Sequence, residues 1–184
     1  MTQTTPFLSD VQELRRRARE NMMRGPVTSD YRGDIDQAVD VLNQALATEI
    51  VCVLRYKRHF YMARGIAKDS VASEFSEHAN EEQQHADMIA ERITQLGGAP
   101  NFSPEGILSR SHSEYVEGTD MVDMIKEDLV AERVAIESYR EMIRFFGDND
   151  PTTRRMLEHI LAVEEEHAND MADLLEQHAS DGKA

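Results

Sequence analysis

Apolar side chains recur at the helical period of 3.6 residues over four long stretches, each closed by turn-forming residues. The first spans about 35–64, carries Leu42, Ala45, Val53, Tyr56 and Phe60 on one stripe, and stops at Gly65. The second, about 70–96, ends at the Gly97-Gly98 pair. The third, about 120–146, ends in GDND ahead of Pro151, and the fourth, about 152–177, starts just after that proline. Ahead of them all, Ser9 or Asp10 is placed to cap a short amphipathic helix through VQELRRRAREN, closed by Gly25-Pro26. The pattern predicts an all-α chain.

Connection lengths set its topology. The breaks at GIAKD and GDNDP are short and join antiparallel neighbours. The segment Gly97 to Gly118 is far longer than an ordinary helix connection. A helix of this length spans roughly 40 Å, and an extended segment of that size reaches roughly 70 Å. The segment can therefore run the length of the bundle and leave the second and third helices parallel. The expectation is a four-helix bundle with one long crossover between helices two and three and no fifth helix. Its boundaries are an N-terminal extension at 1–32, the bundle at 33–178 and a tail at 179–184.

Six polar residues interrupt these apolar stripes. Glu49 shares a stripe with Leu42, Ala45, Val53 and Tyr56. Glu82 and His85, three apart and so on one helical face, fall among Phe75, Ala79, Ile89 and Ile93. Glu132 lies with Ile125, Ala135, Ile136 and Tyr139, and Glu164 with His167 interrupts Met156, Ile160, Met171 and Leu174. The spacing repeats: Glu49 precedes Glu82 by 33 residues and Glu132 precedes Glu164 by 32. Each half of the chain thus has one helix with a lone Glu and one with Glu-x-x-His, which implies two hairpins facing each other about an approximate two-fold axis. One acid on an apolar stripe is ordinarily a boundary position, and one such histidine an ordinary core residue. Six with matched spacing are not.

Isolated buried carboxylates are costly and stay ionised only beside a compensating cation. No Lys or Arg lies on these stripes at the level of the acids. Two divalent cations would balance the four carboxylates, with both imidazoles as neutral ligands. Mixed carboxylate and imidazole donors suit iron or manganese, whereas structural zinc prefers thiolates or several histidines. In this arrangement the carboxylate of each Glu-x-x-His bridges the metals, while Glu49 and Glu132 act as terminal ligands.

Composition narrows the rest. Of 184 residues, 35 are acidic and 20 basic, a net charge of -15 that favours attraction of cations over general nucleic-acid binding. Cys52 is the single cysteine, which excludes an internal disulfide and a tetrathiolate site. No uncharged apolar run of 18 residues and no signal-peptide core occur, so a cytoplasmic protein with no membrane partner is expected.

A Glu from each of two helices plus Glu-x-x-His from each of the other two is the ligand set of the ferritin-like di-metal carboxylate proteins. The segments TEIVCVLRYKRHF, EEQQHADMIAERI, EDLVAERVAIESYREMI and VEEEHANDMADLLE resemble the four helices of bacterioferritin, over roughly Leu42 to Leu175. The resemblance implies Glu49, Glu82, His85, Glu132, Glu164 and His167 as di-iron ligands, with Tyr56 beside the centre. It implies ferroxidase activity, with Fe(II) oxidised by dioxygen or hydrogen peroxide, and storage of ferric mineral in a hollow homo-oligomeric shell. Three departures qualify it. Gln83 stands where bacterioferritins carry their haem-ligating methionine, so haem is not expected and Met88 reads as core filler. The chain ends with HASDGKA soon after helix four, which resembles the Dps-like branch and favours 12 subunits over 24. Residues 1–32 form an extension whose Arg15, Arg16, Arg17, Arg19 and Arg24 resemble the DNA-holding tails of some Dps proteins. The interleaved Glu13 and Glu20 favour instead a helix packed on the shell.

The competing readings are a DNA-protecting Dps-type shell protein and a non-storage di-metal (Fe/Mn) peroxidase or catalase. Three further histidines, His59, His78 and His112, are candidates for shuttling iron or sitting near a pore. His78, one turn before Glu82, is the foremost supporting partner of the site, and Asp128 holds the same relation to Glu132.

Overall fold

A computed structural model describes residues 10–63 and 68–181. The Ser9 cap, the turn at Gly65 and residues 182–184 fall outside them. Among the described residues the chain is wholly helical, in the order α1 (Val11–Glu20), α2 (Ile35–Met62), α3 (Lys68–Gln95), α4 (Ile107–Arg110), α5 (Met121–Phe146) and α6 (Pro151–Asp181), with a 3-10 turn at Met22–Arg24. Besides the four long helices and the expected α1, the structure thus holds a single helical turn, α4, within the long connecting segment.

Local chemistry sets the ends. Asp10, Asp34 and Asp120 each accept a hydrogen bond from the first turn of the helix they precede. Pro151 is itself the first residue of α6 rather than the residue before it. A proline is at ease there because the N–H it lacks would have had no partner in the helix. At the far end of α3, Gly97 adopts φ +85° and lets the Gly98 N–H return to the Ile93 carbonyl at 2.9 Å.

α2 packs along α3 and α5 along α6, while α2 also meets α5 and α3 meets α6. Two apolar clusters fill the bundle. One holds Leu42 and Leu46 of α2, Ile89 and Ile93 of α3, Met142 and Phe146 of α5, and Leu157 and Ile160 of α6. The other holds Tyr56, Phe75, Ile125 and Met171 with their neighbours. On every long helix the six polar residues fall between the two clusters, so a polar layer is enclosed by hydrocarbon above and below. Going along the chain, α2 and α6 pass from the first cluster to the second, and α3 and α5 from the second to the first.

The segment between α3 and α5 lies along α2. Asn43 donates to the Ala99 carbonyl, Thr48 accepts from His112 N–H, Arg55 donates to the Glu114 carbonyl, and His59 Nε2 stands 3.2 Å from the Val116 carbonyl. By length and composition α2 is apolar enough to cross a membrane, but 56% of that apolar window is buried in the bundle.

Candidate metal centre

All six polar residues converge. Glu49, Glu82, His85, Glu132, Glu164 and His167 are each at most 3% exposed. Their donor atoms form two sets, Glu49–Glu82–His85–Glu164 and Glu82–Glu132–Glu164–His167, within each of which the atoms lie no more than 4.8 Å apart. Glu82 and Glu164 belong to both sets. His85 Nδ1 stands 2.9 Å from Glu164, 3.4 Å from Glu49 and 3.6 Å from Glu82. His167 Nδ1 stands 3.6 Å from Glu82, 3.8 Å from Glu164 and 3.9 Å from Glu132. None of these approaches is a hydrogen bond. Glu49 Oε2, both oxygens of Glu82 and of Glu164, Glu132 Oε2 and the Nδ1 atoms of both histidines are buried without a hydrogen-bond partner.

Eight orphaned polar atoms at one point of a bundle core would be very costly as they stand. Their chemistry, six carboxylate oxygens and two imidazole nitrogens, fits a pair of divalent cations. Among the described residues the ion pairs of the four glutamates are with imidazoles alone.

Without cations the cluster holds protons. Burial lifts the Glu49 carboxyl to about 8, with the Glu82 charge adding to the effect. Burial and the neighbouring carboxylates likewise raise Glu164 and Glu132. Glu82 goes the other way: burial opposes it, but the Glu49 proton and the two imidazoles hold it below its ordinary value. Burial also opposes charging His167, yet Glu82 and Glu132 raise it to about 9. His85 is raised too, as Glu164, Glu49 and Glu82 outweigh its burial.

The residues around this ring were only partly foreseen. Tyr56 donates to Glu132 Oε1 at 2.5 Å. Its counterpart Tyr139, unassigned from the sequence, donates to Glu49 Oε1. The signal was present, since Tyr139 follows Glu132 by the same seven residues that separate Tyr56 from Glu49. Glu81 was also missed: it accepts from His167 Nε2 at 2.8 Å and so keeps Nδ1 turned inward toward the carboxylates. His78 does adjoin the site, with Nδ1 3.2 Å from the Tyr56 hydroxyl and its ring stacked on His167 at 4.0 Å. Asp128 instead binds the buried Arg55 at 2.8 Å and His59 Nδ1 at 2.8 Å. His59 is therefore a buried structural residue and not a surface relay, while His112 Nε2 stands 3.3 Å from Gln44. Cys52 is buried beside Arg55.

The ferritin-like domain family matches residues 39–179 of this chain. The chain belongs to that family. Within the ferritin-like proteins it is 28% identical over 132 residues to bacterioferritin from Desulfovibrio desulfuricans, covering 71% of this chain and 70% of that one. It is 30% identical over 145 residues to the DNA protection during starvation protein of Halobacterium salinarum, covering 77% and 79% of the two chains. Among solved structures, the dodecameric thioferritin of Bacteroides fragilis, a bacterioferritin-related protein, superposes with a TM-score of 0.78 at 35% identity, over 82% of this chain and 90% of that one.

Proposed function

We propose that this ferritin-like chain is an iron-storage and detoxification protein with ferroxidase activity. Fe(II) is the substrate, dioxygen or hydrogen peroxide the electron acceptor, and Glu49, Glu82, His85, Glu132, Glu164 and His167 the binding residues. The observation that carries this reading is the set of eight buried, unpartnered donor atoms converging on one point. Glu49 and His85 serve one ion, Glu132 and His167 the other, and Glu82 with Glu164 reach both. Tyr139 and Tyr56 each occupy one oxygen of a terminal carboxylate and leave its second oxygen free to face inward. Glu81 fixes the tautomer of His167 in the same way. The iron supplies the redox chemistry, and four clustered carboxylates favour the ferric charge over the ferrous. The two apolar clusters keep bulk water from the layer between them.

The bundle at 33–178 is proposed to have one long crossover between its second and third long helices. The order of the apolar clusters along the helices supports it, as does the contact of the connecting segment with α2 from Asn43 to His59. Residues 1–32 are an extension to this bundle. Twelve chains forming a hollow shell is the proposed assembly, supported by the likeness to a protein described as dodecameric. DNA protection is the second reading, prompted by the relative from Halobacterium salinarum. Against it, Arg16 pairs within α1 with Glu13 at 2.7 Å and Glu20 at 2.6 Å, and Arg17 pairs with Glu13 at 3.5 Å.

Light scattering combined with anaerobic Fe(II) titration tests the proposal. Twelve chains of 20.9 kDa give a mass of about 250 kDa, and two ions per chain should bind before mineral forms. A one- or two-chain particle that turns over peroxide without storing iron would replace it with the di-metal enzyme reading.

A further inference from the structure

α1 stands ahead of the point where the chain joins its bundle. Val27 and Tyr31 pack against the first apolar cluster, and the Tyr31 hydroxyl donates to Asp150 at 3.0 Å. α1 itself buries none of its residues. At about 100° per residue its side chains nonetheless sort into two faces. Val11, Leu14 and Ala18, continued by Met22, are three and four residues apart and form one apolar stripe. Leu14, Ala18 and Met22 line an open cleft of about 420 Å³. Glu13, Arg16 and Glu20 occupy the opposite face and neutralise one another, with Arg16 2.7 Å from Glu13 and 2.6 Å from Glu20. Arg15 and Arg19 border the apolar stripe instead, and among the described residues neither has an acidic partner.

A complementary surface runs along α5. Val130 and Phe145 are exposed and Val134 is half-buried, which leaves an apolar row on the side away from the bundle core. Glu137 and Glu141 stand within this row, with Arg133 beside them. Two clefts, of about 390 and 530 Å³, adjoin there at Ser138 and Glu141. No residue of α1 lines either cleft, so the chain leaves its own groove open.

Length and charge match the two surfaces. Val11 to Met22 spans about 17 Å of helix and Val130 to Phe145 about 23 Å. Residues 1–32 hold six arginines and four acids, a net charge of +2, whereas the rest of the chain holds 31 acidic and 14 basic residues, a net of -17. The bundle of another copy therefore attracts the extension, while an anionic lipid surface or DNA would repel the bundle that carries it. Exposed ion pairs contribute little by themselves. The apolar stripe supplies the affinity, and the arginines select the partner and the register. A helix this short docks weakly alone, but within an assembly its tether makes the docking intramolecular and raises its effective concentration.

We propose that α1 of one chain docks along the α5 groove of a neighbouring copy. Its apolar stripe lies on Val130, Val134 and Phe145, and Arg15 and Arg19 stand beside Glu137 and Glu141. The inference rests on the assembly of several chains proposed above, and on neither the number twelve nor the ferroxidase reading.

Disulfide trapping on the full chain tests it. Leu14→Cys with Val134→Cys, oxidised in the assembled particle, should give a ladder of bonded chains at multiples of 20.9 kDa on a non-reducing denaturing gel. Wild type, whose Cys52 is buried, and each single variant should stay at one chain. Arg15→Glu with Arg19→Glu should cut bridging about tenfold, and adding Glu137→Lys with Glu141→Lys should restore it. A bridged species that still migrates as one chain would put α1 on its own bundle and overturn the proposal. Bridging indifferent to the charge reversal would overturn it too. Wild type that sediments with phosphatidylserine vesicles, where the chain lacking residues 1–25 does not, would give the helix to a lipid surface instead. Light scattering on the unmodified chain separates the failures: an assembled particle without bridges ends the docking alone, and a one-chain particle ends the assembly as well.

Discussion

Tyr139 on α5 donates its hydroxyl proton to Glu49 on α2, and the reverse contact exists as well, from Tyr56 on α2 to Glu132 on α5. Each tyrosine lies seven residues, about two helical turns, after the glutamate of its own helix. The two helices thus hold one another's carboxylates. Both phenols are raised well above their usual range, by burial first and by the adjoining carboxylate next, so they remain donors at any ordinary pH.

Replacing Tyr139 by Phe should therefore act on the site more than on the fold. The ring remains in its cluster, and the lost hydrogen bond is worth about 1 kcal/mol of stability. Glu49 loses the contact that orients it, and Fe(II) affinity should fall about tenfold, the usual effect of removing such a support. Thermal melts and anaerobic titration measure the two effects separately. Unchanged affinity would deny Tyr139 an orienting role.

Glu82→Ala together with Glu164→Ala removes the two carboxylates common to both donor sets. Rapid Fe(II) oxidation should drop to the uncatalysed rate, while light scattering still reports the assembled particle. Taking like charges out of an apolar core need not unfold it. Wild-type oxidation kinetics in this variant would refute the assigned site.

Cation binding should tighten as pH rises. Protons and metal ions compete for the same lone pairs, and Glu49 and His167 release theirs only near 8 and 9. Affinity for cobalt(II) should climb through that interval, and calorimetry in buffers of different ionisation enthalpy should detect protons expelled on binding. A flat profile from pH 6 to 9 would contradict the protonated, cation-free cluster.

Arg55→Met tests the buried pair beneath the centre. Arg55 and Asp128 are both at most 1% exposed and meet at 2.8 Å. Removing the guanidinium leaves Asp128 with His59 alone, at a cost of about 3 kcal/mol. For a chain of this size that lowers the melting temperature by about 6–12 °C. Asp128→Leu in addition should recover much of the loss. A melt within a degree of wild type would mean that the pair contributes little.

Deleting residues 1–25 should leave DNA mobility unchanged, because the intact chain is expected to give no gel shift even at low salt, where phosphate contacts are strongest. A shift that disappears with the deletion would favour the DNA-protecting reading instead.

The six ring residues were legible in the sequence because each breaks an apolar stripe, and the breaks repeat with one spacing in both halves. Four long helices were legible for the same reason, through periodicity and Asp or Gly at their ends. Arg55 was not, since it lies off the stripe and a lone arginine reads as surface. Its burial depends on Asp128 and on the Glu114 carbonyl, partners from α5 and the connecting segment. Glu81 reads as a solvated neighbour of Glu82, and its bond to His167 exists only once α6 is in place. His59 offered itself as a relay on residue type alone; its apposition to Asp128 is a tertiary fact.

The approximate two-fold symmetry of the ring stops at its edge. His78 stands seven residues before His85, but the matching place before His167 is Ile160, wholly buried in the first apolar cluster. Both halves border a phenol, but the Glu132–His167 half also borders the His78 imidazole and the Glu81 carboxylate, where the Glu49–His85 half borders hydrocarbon. Identical ions would meet unlike dielectric surroundings in the two halves. Loading should accordingly be stepwise, with a singly occupied species accumulating near one equivalent and a different heat for the second.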